Sequence, residues 1–158
     1  MSFADSSFKL PLTREALLSL NSYGMLGALG IQIASFESGT ISGSFEIGQR
    51  HLAPNGYLHA GSIVALADTL CGVGCQLSLP DGALTFTTIE LKSNFLSTTT
   101  VGMVSGVAAA IHSGRTTQVW DCRIESVHTG RIMAEFRCTQ LIIYPGQRDQ
   151  GQSLREIE

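Results

Sequence analysis

The chain has 158 residues, 44% hydrophobic and 15% charged, with a net charge of −3. That length fits one domain with a sizeable core, and the lack of a basic excess counts against nucleic-acid binding. So apolar a composition predicts that a second copy covers part of the surface.

The N-terminal MSFADSSFKL has neither the basic nor the apolar region of a signal peptide. Leu12 to Asn21 predicts a short helix, with Thr13 as N-cap and Glu15 in its first turn. A glycine-rich link, YGMLGALG, follows. Ile31 and Ile33 begin an alternating run that turns at Glu37-Ser38-Gly39. Thr40 to Ile47 then alternates cleanly, which predicts a hairpin. Residues 49 to 60 read as a loop around Pro54, Asn55 and Gly56.

From Gly61 to about Leu77 the run is too long and too rich in alanine and leucine for a strand. It predicts a helix that is apolar nearly all round and therefore buried at the centre. Asp68, Thr69, Gln76, Ser78 and two glycines interrupt the apolar stretch from Ile63 to Leu79, which counts against a membrane span.

Four alternating runs follow: Leu84 to Leu96, Val101 to Ile111, Arg115 to Val127 and Arg131 to Ile143. The first changes phase between Thr87 and Ile89, which predicts a bulge. In the second, Val101, Met103, Val107, Ala109 and Ile111 share a face. In the third, Trp120, Cys122 and Ile124 share one, which reads as core or interface. Short links between them predict antiparallel hairpins. The order predicts an α+β fold, a curved antiparallel sheet wrapped around one long central helix. It divides as an N-terminal helix and link (1–24), a main domain (25–144) and a loose tail (145–158).

Cys71, Cys75, Cys122 and Cys138 fit no zinc spacing and read as reduced core thiols, so no metal and a cytoplasmic location are expected. His51, His112 and His128 read as surface or loop residues. Asp68 is different. Positions 61, 64, 65, 68 and 72 share a helix face that is otherwise small and apolar, leaving a gap beside the carboxylate. An unpaired buried carboxylate is costly, and desolvation moves its pKa toward the range of a general base. A bond from neighbouring backbone would be its purely structural role. About two turns earlier, His59-Ala60-Gly61 sits where the chain enters the helix. Unpaired N–H groups there, at the positive end of the dipole, suit a carbonyl oxygen gaining charge. An acyl group could lie between the two.

The stretch APNGYLHAGSIVALADT resembles the signature of the PaaI-like hotdog-fold acyl-CoA thioesterases. The usual form is Asn-Pro-x-Gly-x-x-His-Gly-Gly, then Asp or Glu seven residues on. Pro54, Gly56, His59, Gly61 and Asp68 match in register. TTIELKSNFLS (87–97) resembles the family's long third strand. IHSGRTTQVWDCRI (111–124) is similar to the next loop and strand, especially in the 4-hydroxybenzoyl-CoA thioesterase branch. The resemblance implies that the Ala60 N–H binds the thioester oxygen beside Gly61, and that His59 holds the loop. It implies that Asp68, from the partner subunit, attacks the carbonyl or activates water, with the Thr88 hydroxyl assisting. It places Gly114-Arg115-Thr116 near the CoA arm and Asn55 and Gly56 in the substrate loop. It implies a homodimer or dimer of dimers, and no cofactor beyond the CoA of the substrate.

Two positions depart from the pattern. Ala53 replaces the Asn or Gln that helps polarise the carbonyl or hold the water. Ala60 replaces a glycine, keeping the donor but adding a methyl group. Ala53 keeps a non-catalytic acyl-CoA sensor open as an alternative, and a hotdog hydratase or dehydratase is the other.

Overall fold

The computed structural model describes residues 14–37 and 39–146. The expected N-cap at Thr13, Ser38 of the first hairpin turn and most of the expected loose tail lie outside them. Two short helices lead in, α1 (Arg14–Leu20) and α2 (Gly24–Leu29). The second corrects the expected link. Leu26 and Leu29 pack against the core, and that burial outweighs the poor helix propensity of its glycines. Then come β1 (Gln32–Glu37), β2 (Thr40–Glu46), a single 3-10 turn at Gln49–His51 and α3 (Ala60–Leu77). Strands β3 (Thr85–Phe95), β4 (Met103–Ser113), β5 (Thr117–Ser126) and β6 (Ile132–Ile143) complete the chain.

The six strands form one antiparallel sheet in the order β1-β2-β4-β5-β6-β3, with α3 against one face. This is the expected α+β hotdog architecture. Among the described residues α3 is the one helix long and apolar enough to cross a membrane, but its apolar side is used in this core. Ser62, Ile63, Leu66, Ala67, Leu70, Cys71, Gly74 and Cys75 are buried. The helix is not buried all round: Val64, Ala65, Asp68 and Gly72 are half-buried and Gly61 is exposed.

Three glycines let α3 approach the sheet closely. Gly43 and Gly106 lie opposite each other on β2 and β4. A Cβ on either would stand 2.9 Å from a methyl of the fully buried Leu70. Gly74 faces the other way, and a Cβ there would stand 2.5 Å from the Trp120 ring. This explains β4, where the larger Met103, Val107 and Ile111 face outward and Val104, Gly106 and Ala108 lie beneath the helix. On β4, where the helix comes closest through Leu66 and Leu70, short side chains lie under α3.

The predicted phase change in β3 is a bulge between Thr88 and Glu90. It keeps Thr88 on the inner face and also turns Leu91, Ser93 and Phe95 inward, opposite Cys138, Phe136 and Ala134. Lys92 and Asn94 thereby face outward. β3 is an edge strand, and Leu91 and Phe95 are 45% and 47% exposed.

The four cysteines are free and buried, as expected. Burial pushes the Cys75 thiol up to about 12, and the neighbouring Cys122 and Cys138 thiols hold Cys71 well above the usual range. His51 is not a surface residue. It is 1% exposed and stacks on Phe45, its Nδ1 accepts from the Gly48 N–H (2.9 Å), and its Nε2 donates to the Leu29 carbonyl (2.6 Å). The sequence around it is polar, and only tertiary packing buries it.

Gly74→Ala tests the helix seat. The gain in helix propensity is about 1 kcal/mol, and overpacking against a ring costs about 1–3 kcal/mol. The Trp120 ring is pinned by its Nε1–H bond to Gln118 (2.8 Å) and has nowhere to shift. Urea unfolding is expected to show a net loss of up to about 2 kcal/mol; a gain in stability would contradict the tight seat.

Candidate active site

Asp68 lies midway along α3, on the helix face left half-open. Burial raises its pKa, and a bond from Thr88 on β3 works against that rise. Thr88 Oγ1 is 3.4 Å from Asp68 Oδ1 and 2.9 Å from Gln140 Oε1. A hydroxyl has one proton to donate. That proton cannot serve both acceptors at once, and Gln140 is the nearer. Gln140 is fully buried on β6, with its amide near Cys138 Sγ (3.3 Å). Sequence reasoning missed it. The available signal was a polar residue in the core phase of Phe136, Cys138, Gln140 and Ile142.

The start of α3 is built by His59. Its backbone is extended (φ −69, ψ 132) and its ring Nδ1 accepts the Gly61 N–H at 2.8 Å, so it caps the helix. The Ser62 N–H bonds the His59 carbonyl, and the Ser62 hydroxyl reaches the His51 carbonyl. The expected pair of open donors is therefore one donor. Gly61 is occupied by its own cap, while the Ala60 N–H has no acceptor among the described residues. His59 does hold the loop, as expected.

Asp68 and Thr88 are brought together; Asp68 and Ala60 are not. Eight residues of α-helix separate them by about 12 Å. A reacting carbonyl needs its donor near 3 Å and its nucleophile within about 3.5 Å. No single acyl group reaches both within one chain, so the placement of an acyl group between them is corrected. Arg115 and Thr116 are exposed at the β4–β5 turn, anchored by Tyr144, whose hydroxyl donates to the Arg115 carbonyl (2.7 Å). The Arg115 guanidinium lies 5.6 Å from the Tyr144 ring centre. The register puts Gln118, just after this turn, two strands away from Thr88, about 10 Å, and the turn itself further off. Asn55 is exposed and its oxygen accepts the Tyr57 N–H (3.2 Å), beside Gly56 at φ 84. Among the described residues no cluster of His, Cys, Asp and Glu could hold a metal ion.

The thioesterase superfamily model matches residues 55–133, spanning the loop, α3 and the strands up to the start of β6. The chain belongs to the thioesterase superfamily. A 1,4-dihydroxy-2-naphthoyl-CoA hydrolase of Listeria monocytogenes is 34% identical over 73% of this chain and 93% of its own length. A Pseudomonas aeruginosa esterase is 36% identical over 78% of this chain and 83% of its own length. Its solved glutamine-to-alanine variant superposes with a TM-score of 0.78 at 30% identity, covering 87% of this chain and 99% of that one. Two solved variants of a Staphylococcus aureus thioesterase (28% and 27% identical, TM-score 0.71, covering 75% of this chain and 98% of that one) carry alanine for a glutamine and, 15 residues further on, for a glutamate. Ala53 and Asp68 of this thioesterase-superfamily chain are also 15 residues apart.

The raised Asp68 pKa has a stability consequence. The folded state holds this proton more tightly than the unfolded chain, so the contribution of Asp68 to stability falls as pH rises from its ordinary value through the raised one. Asp68→Asn removes the charge. Thermal unfolding followed from pH 4 to 8 is expected to show the variant gaining on the wild type as pH rises, then holding a constant lead. A variant that loses stability relative to wild type at neutral pH would show that the carboxylate is well paired.

Proposed function

We propose that the protein hydrolyses an acyl-CoA thioester to a carboxylic acid and free CoA, in sites shared by two copies of the chain. The observation that carries this reading is the separation of the open Ala60 N–H from Asp68 along one helix. Two antiparallel α3 helices related by a two-fold axis beside Val64 and Ala65 set Ala60 of each opposite Asp68 of the other. Val64 and Ala65 are half-buried and small, which permits close approach. The free edge of β3 and its exposed inward-facing Leu91 and Phe95 supply the surface for such pairing. Two such dimers would form a tetramer through the outer face of the sheet.

In this mechanism the thioester oxygen accepts the Ala60 N–H, where the helix dipole favours the charge that develops on it. Ionised Asp68 of the other copy attacks the carbonyl carbon, or takes a proton from a water that does. In the first route CoA leaves as the thiolate, and water hydrolyses the mixed anhydride to release the acid and regenerate Asp68; in both routes water supplies the proton with which CoA departs as the thiol. Its raised pKa makes Asp68 a stronger base than an exposed carboxylate. Thr88, within reach of both Asp68 and Gln140, helps to hold the carboxylate. Gly61 and His59 keep the helix start in shape. Arg115 and Thr116 offer contacts to the CoA arm, and Asn55 and Gly56 border the site. CoA enters as part of the substrate and no other cofactor takes part. Four free thiols suit a reducing compartment such as the cytoplasm.

Complementation tests the shared site. Asp68→Asn removes the carboxylate. Ala60→Pro removes only the donor, because proline is accepted at the first helical position and His59 already has the extended backbone that must precede it. Each variant alone is expected to lose at least ~100-fold in kcat, read by thiol release from acyl-CoA. Unfolded and refolded together, they should recover about a quarter of wild-type activity through mixed dimers. No recovery would place both groups in one subunit. Saturable acyl-CoA binding without thiol release by the wild type would favour a sensor, the reading that Ala53 supports.

Ala53 precedes Asp68 by the 15 residues that separate the two substituted positions of the Staphylococcus variants, which supports reading it as that relative's glutamine position. A side-chain donor in an oxyanion site is worth about 10²–10³ in kcat. Ala53→Gln is expected to raise kcat at least ~10-fold. A fall would mean that Ala53 packs against the substrate instead.

A further inference from the structure

The N-terminal helices do more than lead into the sheet. A cavity of about 310 Å³ lies between Leu20, Tyr23 and Leu26 on one side and Gly72, Val73 and Phe86 on the other. It adjoins Asp68. Gly72 is one turn further along α3, about 6 Å. Phe86 is two residues before Thr88 on the same inner face of β3, about 6.6 Å. The floor is tight, since a Cβ at Gly72 would stand 3.2 Å from the Phe86 ring. Most of the lining is apolar, and the volume is at the small end of the roughly 300–1,000 Å³ typical of ligand pockets.

We propose that this cavity holds the acyl group of the substrate, and that Leu20, Tyr23 and Leu26 form the end wall that limits its length. The inference rests on the thioester-hydrolase reading and deepens it. An acyl chain whose carbonyl carbon meets Asp68 runs along the seam of α3 and β3 and stops at the N-terminal helices. The wall is fixed. Asn21 Oδ1 accepts the Ile33 N–H (2.8 Å), Arg50 donates to the Ala28 carbonyl (2.8 Å), and His51 donates to the Leu29 carbonyl. The substrate class is therefore a compact apolar acyl group, a ring system or a chain of about eight carbons, and not a long fatty acyl chain.

The test compares acetyl-, octanoyl- and hexadecanoyl-CoA. The wild type is expected to prefer octanoyl over both others in kcat/KM. Leu20→Ala with Leu26→Ala should shift preference toward hexadecanoyl at least ~10-fold, and Leu26→Trp should cost octanoyl at least ~10-fold. Acetyl-CoA, too short to reach the wall, should be turned over within ~2-fold of wild type and reports that the variants fold. Tyr23→Ala, at a residue 78% exposed, gives a milder shift toward hexadecanoyl if the leucine variants do not fold. Calorimetry with the S-octyl thioether of CoA reads the pocket without hydrolysis. Binding lost in Leu26→Trp supports the pocket even if no thioester is cleaved, in which case the hydrolase reading falls alone. Normal turnover with a chain-length profile and thioether affinity indifferent to all three wall positions overturns the pocket and leaves the hydrolase reading standing.

Discussion

Everything in this molecule depends on how closely α3 sits on its sheet. Leu70 drops onto two facing glycines, Gly43 and Gly106, and the Trp120 ring lies under Gly74. Side chains at these positions would lift the helix off the sheet. The close seat fixes the height of Asp68 against Thr88 and of Gly72 against Phe86, so the candidate site and the proposed acyl cavity inherit their dimensions from core packing. It also leaves the opposite face of the helix only half-covered, at Val64, Ala65 and Asp68.

A carboxylate on a half-buried apolar helix face has no stability rationale of its own. Among the described residues its side chain's one hydrogen bond is long and comes from a hydroxyl that also has a better-placed acceptor in Gln140. Desolvation without a charged partner destabilises the ionised form. The same environment raises its basicity, which suits the proposed role in thioester cleavage. Strain of this kind, concentrated at one site within a well-packed core, is the usual relation between stability and activity.

At the helix start the chemistry is more economical than a run of free amides. His59 satisfies the Gly61 N–H and leaves the Ala60 N–H as the open donor. In the proposed mechanism, a single amide with no side-chain donor at Ala53 would make a sparse oxyanion site and place more weight on the helix dipole and on the carboxylate of the opposing copy.

Much of this was legible in the chain. Strict alternation marked the strands, the long alanine- and leucine-rich run marked α3, and the phase slip before Ile89 marked the bulge in β3. Asp68 stood out because a charge in an apolar period is costly wherever the helix packs. Other features were not legible. The link became α2 because its leucines found a core to bury in. His51 went inside because Phe45 and the Leu29 carbonyl were there to receive it. The outward face of β4 was the more apolar one, since Leu66 and Leu70 of α3 leave room for small side chains on the inner face of that strand. Local periodicity and motif spacing by themselves determined the elements, the α+β class and the residues able to do chemistry. The helix rise alone sets Ala60 and Asp68 of one chain too far apart to share a carbonyl. Only the tertiary structure decided which faces are core and that Asp68, Thr88 and Gln140 come together. Those are distances between segments remote in sequence, and a pattern along the chain does not encode them.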